Sequence, residues 1–201
     1  MTHSLKITVH KCEKLDDVEH GGKNDPYVQF STDVKNNDLF KKHKTSVKKN
    51  AGRDPVWNET LTIENVDTNQ CNELFVEVLE DDIGIDPPIG FCAIPLSQVN
   101  KAENHVFKGE FDLYTPSGKP KGTISLTIAI VTAGQAAPTC NAAEVKGLSQ
   151  IVTDHQHRIK TMKTNEKVND VGMAAAIIGG LFGAKAVHDN MNKPAAVPKE
   201  H

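Results

Sequence analysis

Apolar and polar residues alternate almost from the first position of the chain. In Leu5-Lys6-Ile7-Thr8-Val9 the odd positions are apolar, and successive side chains of a strand point to opposite faces, so Leu5, Ile7 and Val9 share one face. Short runs of strand-forming residues recur at 27–30, 43–47, 60–63, 74–79, 91–95, 107–114 and 122–131, separated by Gly, Pro, Asn and Asp. This pattern predicts an all-β fold, an eight-stranded antiparallel β-sandwich over residues 1–131, rather than alternating strands and helices. Trp57 and Phe91 fall at core positions of that sandwich.

The pattern changes at residue 132. Ala133-Gly134-Gln135-Ala136-Ala137-Pro138 has the composition of a linker, placed at 132–141. Beyond it Val145, Leu148, Val152, Ile159 and Met162 recur at helical spacing with His155 in the gap, which predicts an amphipathic helix over about 142–169. Residues 172–187 are rich in Ala and Gly and complete a helical extension over 142–187; the polar, proline-containing 188–201 reads as a disordered tail. The Ala/Gly segment is shorter than the roughly 20 apolar residues of a spanning helix and contains Lys185. Its Gly179/Gly183 spacing suits close helix approach, hence self-association or a protein partner through 142–187.

Composition narrows the class. The chain has 201 residues, 38% hydrophobic and 24% charged, enough for one domain with an extension. A net charge of −3, and lysines without interleaved aromatics, argue against nucleic acid as a partner. No long apolar leader opens the sequence, and Cys12, Cys71, Cys92 and Cys140 have no metal-type spacing, so reduced thiols in a cytoplasmic protein are expected. There is no Gly-x-Ser-x-Gly elbow, phosphate-cradling loop or His-Glu-x-x-His, and no enzymatic activity is expected.

Three segments carry the chemistry: Asn24-Asp25-Pro26-Tyr27-Val28, Asp54-Pro55-Val56-Trp57-Asn58-Glu59, and Glu80-Asp81-Asp82-Ile83-Gly84-Ile85-Asp86. Each sets carboxylates beside a turn former at a strand end. Carboxylates gathered at one end of a sandwich suit Ca²⁺, a hard cation that takes six to eight oxygen ligands. The same acids also suit turn closure, by accepting backbone N–H groups.

In order and phrasing these segments, with Leu5 to Leu15, Lys44-Thr45-Ser46-Val47 and Ile89-Gly90, resemble the C2 domain family. The resemblance covers about 4–131 and implies a type II-like topology, since the chain opens on the strand entering the first acidic loop and closes on an added strand. It implies a small C2 domain-containing protein that binds anionic phospholipid membranes peripherally, with Ca²⁺ as cofactor. Matched to the family's ligand pattern are Asp25, Glu19 and Glu80 (each where the family usually has Asp), Asp82, and Asp86 across a spacing shifted by Pro87-Pro88. Glu for Asp keeps the charge but lengthens the side chain, which loosens preorganisation. The family's basic strand corresponds to 43–47, where Lys42, Lys44 and Lys48 share a parity suited either to anionic headgroups or to a solvated edge. Val18, Ile83 and Ile85 stand at loop tips, able to enter a bilayer or to fold back on the sandwich. The alternative function is a calcium-independent protein–protein adaptor or scaffold working through the C2 fold and the C-terminal helix.

Overall fold

A computed structural model of the chain describes residues 3–19, 22–132, 135–136, 138, 140 and 142–164. The alternation of the first segment is realised as β1 (His3–Glu13), in which Leu5, Ile7 and Val9 are all completely buried. The other strands are β2 (Pro26–Ser31), β3 (Val56–Val66), β4 (Glu73–Glu80), β5 (Pro88–Pro95), β6 (Val106–Tyr114), β7 (Pro120–Thr132) and the two-residue β8 (Val145–Lys146). Their order is β2-β4-β5-β6-β7-β1-β3, with β8 added to β6. β5 and β6 share the single residue pair Phe91–Tyr114, so the sheet is nearly cut there into two faces. Val28, Phe30, Val76 and Val78 from one face meet Phe111, Leu113, Ile124, Leu126 and Ile128 from the other, with Trp57 among them. Cys12 and Cys92 lie in this core, where burial pushes both thiols up from their ordinary range; all four cysteines are free thiols.

The segment expected as a strand at 43–47 is built differently. Asn36 caps a short helix, α1 (Asn37–Lys42), by accepting the N–H groups of Asp38 and Leu39 through its side chain. The chain leaves α1 at His43 and runs along the edge of β2. Phe30 N–H donates to His43 O (2.9 Å), Thr45 N–H to Val28 O (2.9 Å) and Lys48 N–H to Pro26 O (3.0 Å). The Val28 N–H is taken by the Thr45 hydroxyl instead of a backbone carbonyl, which interrupts the ladder and leaves one bridge, Gln29–Lys44. Seven of the expected strands form; the eighth is β8. A second short helix, α2 (Ser97–Lys101), lies in the connection from β5 to β6.

The expected helix onset at 142 is also corrected. Residues 142–152 are extended, and the helix α3 begins at 153 and runs to 164, the last described residue. The extended strap lies along the seam. β8 pairs in parallel with β6 at Gly109–Val145 and Glu110–Lys146, and Gln150 exchanges two 2.9 Å backbone bonds with Ala93 of β5. Strand edges that would otherwise stay unpaired at the seam outweigh the helical periodicity of Val145 and Leu148, which are 51% and 70% exposed. Gly147 lies directly on the Phe111 ring, where a Cβ would come within 2.2 Å of Cε1. α3 then packs on the sandwich through His155 and Ile159, both fully buried. Residues 165–169 of the expected helix, the Ala/Gly segment and the tail lie outside the described residues.

Candidate functional site

The connections after β1, before β3 and after β4 meet at one end of the sandwich because those strands begin or end there. Asn24 ties the first two together. It is fully buried; its Oδ1 accepts Val18 N–H (3.2 Å) and Glu19 N–H (3.3 Å), its Nδ2 donates to Asp16 O (2.7 Å), and its carbonyl accepts Gly52 N–H (2.9 Å). These bonds commit Asn24 to loop shape, leaving the next residue to face the site.

That residue, Asp25, is the hub. Its N–H donates to Glu80 Oε1 (2.7 Å), its carbonyl accepts Asp81 N–H (3.1 Å), and its carboxylate accepts Asn50 N–H and the Lys49 ammonium (3.0 Å). The Asn50 N–H, then Lys49, hold its carboxyl below the usual range despite partial burial. Glu80, the last residue of β4, is 2% exposed, and its second oxygen, Oε2, has no hydrogen-bond partner among the described residues. Burial, with the charges of Glu19, Asp25 and Asp82 nearby, pushes its carboxyl up to about 7, although the Asp25 N–H works the other way.

Of the five sequence-derived acids, the electrostatics thus group Glu19, Asp25, Glu80 and Asp82. Asp86 is engaged elsewhere: it accepts the Tyr27 hydroxyl at 2.6 Å and, at 3.3 Å, the N–H of Asp82. Asp82 itself accepts Ile83 N–H at 2.6 Å. Among the described residues no set of three or more His, Cys, Asp or Glu side chains is arranged to hold a metal ion. The cation in the cluster is Lys49, which also reaches Asp81 Oδ2 at 2.6 Å. Asp81 belongs to the third acidic segment but not to the matched ligand pattern, and neither Lys49 nor Asn50 was matched to this site; their meeting depends on two loops coming together, for which a sequence carries no local signal.

The basic and apolar candidates separate. Lys42 is exposed in the last turn of α1, the Lys44 ammonium sits 5.3 Å from the centroid of the Tyr27 ring, and Lys48 pairs with Glu59 at 2.8 Å. They do not form one strand face, because Lys42 belongs to a helix. Ile83 projects from the third loop and is 90% exposed. Val18 packs against the core, and Ile85 is half-buried beside Tyr27 and Met162.

An antiparallel sandwich of this strand order with acidic loops gathered at one end has the architecture of a C2-type β-sandwich. The model of the C2 domain family matches residues 3–113, and the chain belongs to that family. It is 29% identical over 164 residues to Protein SRC2 homolog of Arabidopsis thaliana, covering 75% of this chain and 49% of that protein. It is 28% identical over 129 residues to a protein of Arabidopsis thaliana named Calcium-dependent lipid-binding protein, covering 62% of this chain and 24% of that one. The chain therefore spans half or less of these relatives' length. A solved C2 domain of plant Extended Synaptotagmin 1 superposes with a TM-score of 0.53 at 18% identity, over 67% of this chain and 98% of that domain, a likeness of fold. No helix among the described residues is long and apolar enough to cross a membrane.

Proposed function

We propose that the chain is a peripheral phospholipid-binding module whose membrane contact is modulated by Ca²⁺ at the Asp25 end of the sandwich. The observation that carries this reading is Glu80: a carboxylate 2% exposed, with one oxygen unpartnered among the described residues, surrounded by further carboxylates. Such a group is short of positive charge. A hard oxygen-seeking cation suits oxygen donors of this kind, and Asp25, Glu80, Glu19 and Asp82 would hold it once the loops draw their carboxylates together, with Asp86 recruited from Tyr27. A bound divalent ion would reverse a local field that otherwise repels anionic headgroups.

The protein's own residues supply the rest of the contact. Ile83 stands at the same end, and burying such a side chain in the interfacial hydrocarbon contributes about 1.5–3 kcal/mol. Lys42 and Lys44 add a weaker, calcium-independent attraction of about 1 kcal/mol each near an anionic surface, while Lys48 must first leave Glu59. Co-sedimentation of the full chain with anionic vesicles in calcium and in chelator tests this. Stronger binding in calcium, abolished by Asp25→Asn with Glu80→Gln, is the expected result. Equal absence of binding in both conditions would leave the adaptor function standing and remove this one.

A further inference from the structure

We propose that α3 and the β6–β7 turn together form a binding pocket for the phosphate of an anionic lipid headgroup, beside the acidic loops and sharing Asp16 and Val18 with the first of them; this rests on the membrane-binding reading above. The pocket, about 640 Å³, falls within the roughly 300–1,000 Å³ of small-molecule sites. Lys119 and Lys121 line it from the sandwich, Lys160 and Lys163 from the extension.

Its construction follows from how the extension docks. The β6–β7 turn is closed by Thr115 N–H to Lys119 O (2.8 Å) and Gly118 N–H to Thr115 O (2.7 Å). Gly118 takes φ +85°, and a Cβ there would meet the Gln156 amide at 2.8 Å, so the first turn of α3 sits directly on this hairpin tip. That contact sets the register of the helix. Lys160 and Lys163, three residues apart on one helix face, are thereby delivered opposite Lys119 and Lys121.

The charge is uncompensated. Like most lysines among the described residues, none of the four pocket lysines has an ion-pair partner there. Asp16 is the only acid among the described residues of the lining. Four lysines lining one cavity favour an anion as its occupant. The walls beside them, Val18, Pro88 and Pro116, are apolar, which suits an anion attached to a partly apolar body. Among the described residues no aromatic side chain lines the pocket, so a nucleic acid would find phosphate contacts there but no stacking platform. The pocket opens at the end of the sandwich that carries Ile83, because β6 finishes and β7 starts at the end where β4 finishes. A headgroup could therefore be engaged while Ile83 meets the bilayer.

The test uses the full chain, vesicles of phosphatidylcholine with and without a phosphorylated phosphoinositide, and two double variants, Lys160→Ala/Lys163→Ala and Lys119→Ala/Lys121→Ala. Lys35→Ala/Lys101→Ala controls for net charge. These side chains are all exposed, so the folded state is retained, checked by thermal melting. Each pocket variant is expected to lose about 30-fold in affinity for the phosphoinositide vesicles in both calcium and chelator, with the control within about twofold of the parent. Pocket variants that behave like the control overturn the pocket and leave the membrane-binding reading intact. A parent protein that ignores both vesicle types overturns both. Inorganic phosphate and inositol trisphosphate, titrated by calorimetry, distinguish the source: lysine-dependent binding of these without vesicle binding assigns the pocket to a free phosphate. Lysine-dependent binding of a labelled RNA oligonucleotide without vesicle binding assigns it to nucleic acid.

Discussion

Lys49 lies between two acids of different loops, its ammonium 3.0 Å from Asp25 and 2.6 Å from Asp81. The side chain is therefore a tethered monovalent cation within the acidic cluster proposed above as a Ca²⁺ site. Both carboxylates raise its pKa from the ordinary lysine value, so it stays charged throughout the physiological range.

A Ca²⁺ ion entering at Asp25 has to displace that ammonium. Lys49→Ala is expected to tighten calcium binding by about three- to tenfold, as removal of a like charge next to the ion requires. Isothermal titration in low-salt buffer reads the change. Weaker calcium binding in the variant would mean that Lys49 orders the loops more than it competes.

The raised Glu80 carboxyl makes the calcium-free protein sensitive to pH. Its folded-state pKa of about 7 exceeds its ordinary value of 4.5, so the native state holds more protons than the unfolded chain between those values. The stability tied to this proton is complete below pH 4.5 and lost as pH rises through 7, a loss on the order of 1–3 kcal/mol. Glu80→Gln should flatten that part of the profile and make the chelator-treated protein more stable at pH 8. Urea melts at pH 6 and pH 8 measure it; an unchanged slope in the variant would place the titration elsewhere.

Glu77 makes the opposite case. It is completely buried in β4, which alone would raise its pKa, yet the hydrogen bonds of His155 (3.1 Å) and Arg158 (2.7 Å) leave it below the ordinary carboxylate value. Gln29 donates to its other oxygen at 2.6 Å, and His155 stands edge-on to Phe75 and Phe91. Its contribution to stability is present above the ordinary carboxylate pKa and lost as pH falls through the lower folded-state value. Truncation after residue 131 removes both partners together with the helix that covers Glu77, Phe75 and Phe91, and loss of the buried ion pair and of that packing costs about 3–5 kcal/mol. The melting temperature should fall by roughly 10–20 °C. A truncated protein melting with the full chain would show that the extension is not part of the folding unit.

Ile83 is exposed enough that its identity should not matter to folding. Ile83→Ser is expected to change stability by less than about 0.5 kcal/mol while weakening calcium-dependent vesicle binding by roughly tenfold or more. Equal vesicle affinity for parent and variant would mean that the third loop stays above the headgroups.

The strands carrying Leu5, Ile7, Val9 and the alternating part of β7 were legible because each is defined by its own period, and burial follows from it. The segment at 43–47 was misread because Asn36 caps a helix just upstream and because a Thr45 hydroxyl, not a backbone group, takes one ladder position. The strap at 142–152 was misread for a reason its own residues do not contain. Val145 and Leu148 have helical spacing, but the incomplete β5–β6 pairing leaves open edges that an extended chain can satisfy and a helix cannot.

The local pattern of this chain by itself determined the strands of the sandwich and the carboxylates placed beside turn formers at their ends, and its resemblance to the C2 family singled out Asp25 among them. Those properties depend on residues close in sequence or on a period repeated along one strand. Tertiary structure alone decided that Lys49 sits among the carboxylates, that Asp86 turns to Tyr27, that Glu77 pairs with Arg158 from 81 residues away, and that lysines of α3 meet those of the β6–β7 turn. Each of these is a charge balance between distant segments. Its sign and strength depend on the distance and burial that folding creates, and neither quantity exists in the extended chain.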